Sequence, residues 1–175
     1  MSSTEMQDFE RMLAELLTAG DDHRIGSVVP LDRDLWTTLA ELGLTRLTGD
    51  ESAGGSGAGW TEAAVLLTAT GRAAAAVPVV EHDLLAGWLL EQAGLPADDR
   101  IRTAAVLDAD GCARYVPWAR DADAVVVLWR GDDGWKVADV PGTGIDLVEA
   151  VDLAAEPRDH IRVELSTVSG TPVPD

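Results

Sequence analysis

Apolar residues recur along the first half of the chain with a helical period. Phe9, Met12, Leu13, Leu16 and Leu17 stand at i, i+3, i+4, i+7 and i+8, which places them on one helical face. Thr4 is positioned to cap that helix and Gly20 to end it. After Pro30 a second stripe, Leu31, Leu35, Leu39 and Leu42, runs to a stop at Gly43. A third helix is predicted from about Thr61 towards Ala76, broken by Pro78. Its middle, Ala63 to Leu67, is apolar on every side, the pattern of a helix buried by its neighbours. A fourth run gathers Leu84, Leu85, Trp88 and Leu89 and ends at Gly94-Leu95-Pro96. These segments predict a small helical bundle.

After Pro96 the period changes. Ala124 to Trp129 is a short run rich in valine, Gly131-Asp132-Asp133-Gly134 is turn chemistry, and Trp135 to Val140 is a second run, together a hairpin signal. Ile161, Val163 and Leu165 alternate with Arg162 and Glu164, the period of a half-buried strand. Ala104 to Leu107 and Ile145 to Val151 are weaker strand candidates. Helices first and strands afterwards predict an α+β fold, a helical bundle followed by a small, mainly antiparallel β domain. The division falls near Pro96 to Arg100, giving expected domains of residues 1–97 and 98–175.

Composition narrows the partners. The 175 residues carry 13 basic and 31 acidic side chains, a formal net charge of −18, which repels phosphate backbones and anionic lipid surfaces. Neither nucleic acid nor a membrane is expected. Cys112 is the one cysteine, so no intrachain disulfide can form and a reducing compartment fits. Glu5, Asp8, Glu10 and Glu15 near the start do not suit a secretory signal, and no apolar run has the length of a membrane span. The expectation is a soluble, cytoplasmic protein.

Candidate chemistry is sparse. The stretch from Gly49 to Gly59 is glycine-rich but has no Gly-Lys-Ser/Thr and follows a helix, so a flexible helix-to-helix connection is expected rather than a phosphate cradle. His23, His82, His160 and Cys112 share no ligand spacing, and no metal site is assigned. Asp21, Asp22 and His23 read as a solvated turn. Ser56 lacks the strand-turn-helix elbow of a hydrolase nucleophile. Cys112 has no basic neighbour closer than Arg114 and reads as a buried or inert thiol. Of Trp36, Trp60, Trp88, Trp118, Trp129 and Trp135, at least Trp88 and Trp129 are expected to pack in cores.

Four pieces in order alter this picture. They are Leu35-Trp-Thr-Thr-Leu-Ala-Glu-Leu-Gly-Leu, Glu51-Ser-Ala-Gly-Gly-Ser-Gly, Gly71-Arg72 with Pro78 seven residues on, and the helix ending Gln92-Ala93-Gly94-Leu95-Pro96. Together they resemble the N-terminal domain of the acyl-CoA dehydrogenase family. Tyr115-Val116-Pro117-Trp118-Ala119, then Asp121-Ala122-Asp123-Ala124 and the strand Val125 to Leu128, look like the family's middle β domain.

The resemblance implies a flavoenzyme of fatty acid metabolism that binds FAD and oxidises an acyl-CoA at its CH–CH bond. A carboxylate would take the α-proton of the thioester while the β-hydrogen leaves as hydride. Relatives meet the flavin through a Thr-Glu-Pro segment, where this chain has Arg102-Thr103-Ala104-Ala105. They also use a Trp-Ile-Thr/Ser segment, where Trp118 is here followed by Ala119 and Arg120. Cofactor-binding residues therefore remain unassigned. The family's catalytic base and main oligomer interface belong to a C-terminal helical domain that would lie beyond Asp175, so no catalytic residue is carried across.

Three roles follow. The chain could be part of an acyl-CoA dehydrogenase-like enzyme, inactive without the C-terminal helices. It could be a non-catalytic subunit that stabilises a full-length relative, or a two-domain remnant without cofactor. An oligomer and an apolar surface awaiting another domain are expected, because a β half of about 75 residues makes a marginal core.

Overall fold

The computed structural model describes residues 3–17 and 27–173. The expectations for Gly20, Asp21, Asp22 and His23 lie outside the described residues. Helix α1 spans Ser3–Leu16, so Thr4 falls inside it rather than capping it, and Leu13 is fully buried. Helix α2 spans Arg33–Glu41; the Asp32 carboxylate caps it by accepting from the Leu35 N–H at 2.9 Å. Leu39 and Trp36 are buried from α2, but Leu42 is half exposed. The helix ends at Glu41, and Gly43 at φ 70° turns the chain out of register, so Leu44 enters the core in place of Leu42.

Helix α3 spans Trp60–Arg72, shorter than its apolar sequence suggests. Only Ala63 and Leu66 are fully buried in it, and Ala64 is exposed. The expectation of a helix covered on all sides is thus corrected. Within the apolar middle the outward position is Ala64, flanked by Thr61 and Thr68, side chains small enough to meet water at little cost. Leu13, Leu17, Trp36, Leu39, Leu66 and Val77 share the core of this half.

The fourth run is built differently from the amphipathic helix expected. Val80–Gly87 is π-helical, with the Trp88 N–H donating to the Asp83 carbonyl five residues back, and it leads into α4, Trp88–Gln92. The wide turns rotate the sequence about the axis. His82, Asp83, Ala86 and Leu90 face inward, whereas Leu85 and Trp88 are exposed. The stripe of Leu84, Leu85, Trp88 and Leu89 is therefore not the buried face, and Trp88 is not a core residue.

The β half holds β1 (Arg102–Val106), β2 (Cys112–Pro117), β3 (Ala124–Gly131), β4 (Gly134–Pro141), β5 (Asp146–Val148), β6 (Arg158–Arg162) and β7 (Thr171–Pro172). One sheet has the order β1-β3-β4-β7, with β1 and β3 parallel and the other pairs antiparallel; the second, β2-β6-β5, is antiparallel. The connection between parallel β1 and β3 passes through β2 in the other sheet, with no intervening helix. The expected hairpin is β3–β4, closing with Gly131 opposite Gly134. Val125, Val127, Ala138, Val140 and Ile161 lie in the core between the sheets. Val126 and Val137 lie on the other face of the larger sheet, against Ala86 and Leu90. β3 is buried on both faces, which is why its sequence is continuously apolar.

Polar contacts also join the halves. The Arg102 N–H donates to His82 Nδ1 at 3.1 Å, Val29 N–H to the Ala155 carbonyl at 2.9 Å, and Arg33 Nη2 to the Asp121 carbonyl at 2.8 Å. Trp118 is buried against Val29 and Ala76.

Candidate functional site

The two stretches that the resemblance assigns to flavin lie at this junction. Arg102 opens β1 with its side chain 1% exposed. Its Nη2 stands 2.9 Å from Asp139 Oδ2, and its Nη1 2.6 Å from Asp98 Oδ1. Burial works against the Asp98 carboxylate, but donors from Arg102 and Arg100 hold its pKa down to about 2. Thr103 is wholly buried and its Oγ1 has no partner among the described residues. The second stretch follows β2. Trp118 adopts φ 56° and is buried, Ala119 is buried, and Arg120 is fastened to the buried Asp159 carboxylate and the Ala150 carbonyl.

A separate site forms where the glycine-rich loop meets the π-helical segment. The loop is a folded connection, not the flexible one expected. A Cβ at Gly55 would sit 2.2 Å from the carbonyl carbon of Gly49, so the loop closes on itself only with glycine there. Its N–H groups are spent inside the fold, Ser56 on the Arg46 carbonyl, Gly57 on Gly49 and Ala58 on Leu47. Ser56 Oγ donates to the Gly43 carbonyl. These amides are not free to cradle a phosphate.

Thr48 stitches the loop to the helix: its N–H and hydroxyl donate to Asp83 Oδ2 at 3.0 and 3.1 Å, while the Asp50 N–H donates to Glu91 Oε1 at 3.1 Å. Between them opens a cleft of about 160 Å³ lined by Thr48, Ala58, Trp60, Asp83, Trp88 and Glu91, among others. Trp60 is 77% exposed and Trp88 54%. Burial pushes the Asp83 carboxyl up, the Thr48 donors pull it down, and Glu91 adds to the rise. Burial, with the positive charges of Arg102 and Arg46, lowers the His82 pKa to about 3. Arg46 is itself buried, and its Nη2 has no partner among the described residues.

Among the described residues, His82, His160 and Cys112 are not brought together. His82 packs edge-on against Trp36 with centroids 4.9 Å apart, His160 makes the same contact with Tyr115 at 5.0 Å, and Cys112 is a half-buried free thiol. No group of three or more metal-ligating side chains occurs among the described residues. Sequence spacing does not connect Arg46, Trp60, Asp83 and Glu91 as a set. The one local signal was His82-Asp83, polar residues inside an otherwise apolar run.

A model of the acyl-CoA dehydrogenase N-terminal domain matches residues 9–99, just over half of the chain. The chain belongs to the acyl-CoA dehydrogenase family. Over 65 residues it is 40% identical to Acyl-CoA dehydrogenase FadE27 of Mycobacterium tuberculosis, covering 37% of this chain and 17% of that one. Its fold is similar to a chain of the ChsE4-ChsE5 complex from Mycobacterium tuberculosis, with a TM-score of 0.75 and 22% identity over 100% of this chain and 56% of that chain. A variant of the Tcur3481-Tcur3483 steroid ACAD is similar with a TM-score of 0.72 and 23% identity, over 92% and 55% of the respective chains. The chain thus spans little more than half the length of these solved chains, and its match to the curated relative covers less than a fifth of that protein.

The family uses FAD, but the residues at the two expected flavin positions do not fit one. The Arg102 and Arg120 guanidinium groups are consumed by carboxylates of the same chain. Thr103 Oγ1 lies inside the protein, Ala104, Ala105 and Ala119 have no side-chain donor, and the Trp118 ring is turned into the core. No helix among the described residues is long and apolar enough to cross a membrane.

Proposed function

We propose that this chain is one structural part of an acyl-CoA dehydrogenase-type assembly. The FAD-dependent oxidation of an acyl-CoA at its CH–CH bond belongs to the assembly, and this chain by itself neither binds flavin nor turns over substrate. The observation that carries this reading is the internal use of the flavin-side stretches. Arg102 and Arg120 close ion pairs within the chain instead of leaving donors at a cofactor surface. Two domains, residues 1–97 and 98–175, make up the part, and the cytoplasm is the compartment assigned to it.

A second reading, a non-catalytic subunit that stabilises a full-length relative, is favoured by the similarity to chains of ChsE4-ChsE5 and Tcur3481-Tcur3483, both named as pairs of proteins. The partner in either reading is a C-terminal helical domain or a related acyl-CoA dehydrogenase subunit.

The test is the visible spectrum of the purified chain after incubation with FAD and desalting, followed by an acyl-CoA assay with an artificial electron acceptor. The expected outcome is a colourless, inactive protein, with flavin and turnover appearing only on addition of a full-length relative. Retained flavin or turnover by the chain alone would overturn the proposal. Co-elution with the relative without any change in its kcat would favour the non-catalytic subunit.

A further inference from the structure

We infer that the cleft between the glycine-rich loop and the π-helical segment is a binding site for an organic monocation, an alkylammonium or guanidinium group held between Trp60 and Trp88 over Asp83 and Glu91. The inference stands independently of the assembly reading.

The carboxylates are placed rather than merely acidic. Asp83 is 5% exposed and is fixed through Oδ2 by both donors of Thr48, while Glu91 is fixed through Oε1 by the Asp50 N–H. Their second oxygens, Asp83 Oδ1 and Glu91 Oε2, carry no hydrogen bond among the described residues. Neither group has a lysine, arginine or histidine within ion-pair distance there. Both side chains border the same opening. A carboxylate that is nine-tenths buried is ordinarily met by a cation or by donors to both oxygens. In Asp83 half of that capacity is unused, and the residue lines the cleft.

The charge balance sets the valence. Asp83 feels the positive charge of the buried Arg46 and the negative charge of Glu91, so the two carboxylates exceed the one guanidinium that acts on Asp83 by a single charge. The walls set the chemistry. Two large indoles exposed at one opening cost solvation unless a ligand covers them, and the indole face is the strongest aromatic partner for a cation. The volume of about 160 Å³ suits a trimethylammonium, butylammonium or guanidinium group and not a nucleotide or an acyl-CoA. The π-helical turn brings Asp83 and Trp88 to this opening from residues that an α-helix would place otherwise.

The cation could be a free amine or the end of a lysine or arginine side chain from another protein, and the probes separate the two. Calorimetric titration of the full chain with choline, N-acetyl-lysinamide and N-acetyl-argininamide is the test, with 3,3-dimethylbutan-1-ol as the uncharged match for choline. Saturable binding of at least one cation is expected, with the neutral alcohol at least ~10-fold weaker. Choline alone would mark a free amine, and the blocked amino acids alone a protein side chain. Glu91→Gln keeps the acceptor for the Asp50 N–H and removes the charge, so it should weaken binding by ~10-fold or more. Trp88→Leu should do the same through the wall. Both variants should keep the wild-type melting transition, because both side chains open to solvent. Equal binding of the alcohol, no saturation by any cation in the millimolar range, or unchanged affinity in Glu91→Gln with the fold intact would each overturn the assignment.

Discussion

His82 accepts from the Arg102 N–H and packs on Trp36, so one imidazole touches both the helical core and the β half. Its folded pKa of about 3 lies below the ordinary value of 6.5. Between those values the unfolded chain binds a proton that the folded chain does not, so stability rises with pH there and is lost as pH falls from about 6.5 towards about 3. Glu81 and Asp83, raised by burial, act in the opposite direction. A comparison with His82→Gln, which keeps an acceptor but never charges, isolates the imidazole. Across that window the urea midpoint of the wild type should fall more steeply than that of the variant, by at most about 1.4 kcal/mol per pH unit. Parallel slopes would show that His82 charges without cost. Nothing in the sequence flagged this histidine as a junction residue. Arg102 lies 20 positions away, and only the fold brings them to 3.1 Å.

At the scale of elements, the glycine-rich loop and the π-helical turn are the two that spacing did not resolve. Glycine density alone suggested a loose connection, because it reports permitted conformations and not hydrogen bonds. The structure uses Gly55 for contact: its missing Cβ admits the Gly49 backbone. Gly71, in α3, has nothing within 4 Å of where a Cβ would be. Gly55→Ala should therefore destabilise by about 1–3 kcal/mol through backbone displacement. Gly71→Ala should be neutral or stabilising by up to about 1 kcal/mol, since alanine is the better helix former. Urea denaturation of the two variants checks the contrast; similar effects would show that the loop yields to the added methyl. The π-helix has no comparable sequence mark, and it is what moved Trp88 from an expected core position to the surface.

For the whole molecule, the helical and β halves are joined by a common apolar layer. Leu90 of α4 and Ala86 before it are fully buried against Val126 and Val137 on the outer face of the larger sheet. Leu90→Ala should cost about 2–5 kcal/mol, the usual range for a cavity at a fully buried leucine. Because the leucine belongs to both halves, far-UV circular dichroism and tryptophan fluorescence should shift together to the same lower urea midpoint. Separation into two transitions, with only the helical one moved, would show that the halves fold independently.

The sequence by itself determined the order of helices before strands, the β3–β4 hairpin, the α2 stop at Gly43 and the membership in the acyl-CoA dehydrogenase family. Each rests on local periodicity, turn chemistry or residues close together in the chain. Only the tertiary structure decided that Leu42, Leu85 and Trp88 face water, that Arg102 and Arg120 are spent on Asp139 and Asp159, and that Asp83 and Glu91 share a cleft with two tryptophans. The reason is physical. A repeat of apolar residues shows which side chains share a face, but whether that face is covered depends on an element elsewhere in the chain. Likewise, a charge is free or paired according to groups 37 or 39 residues away.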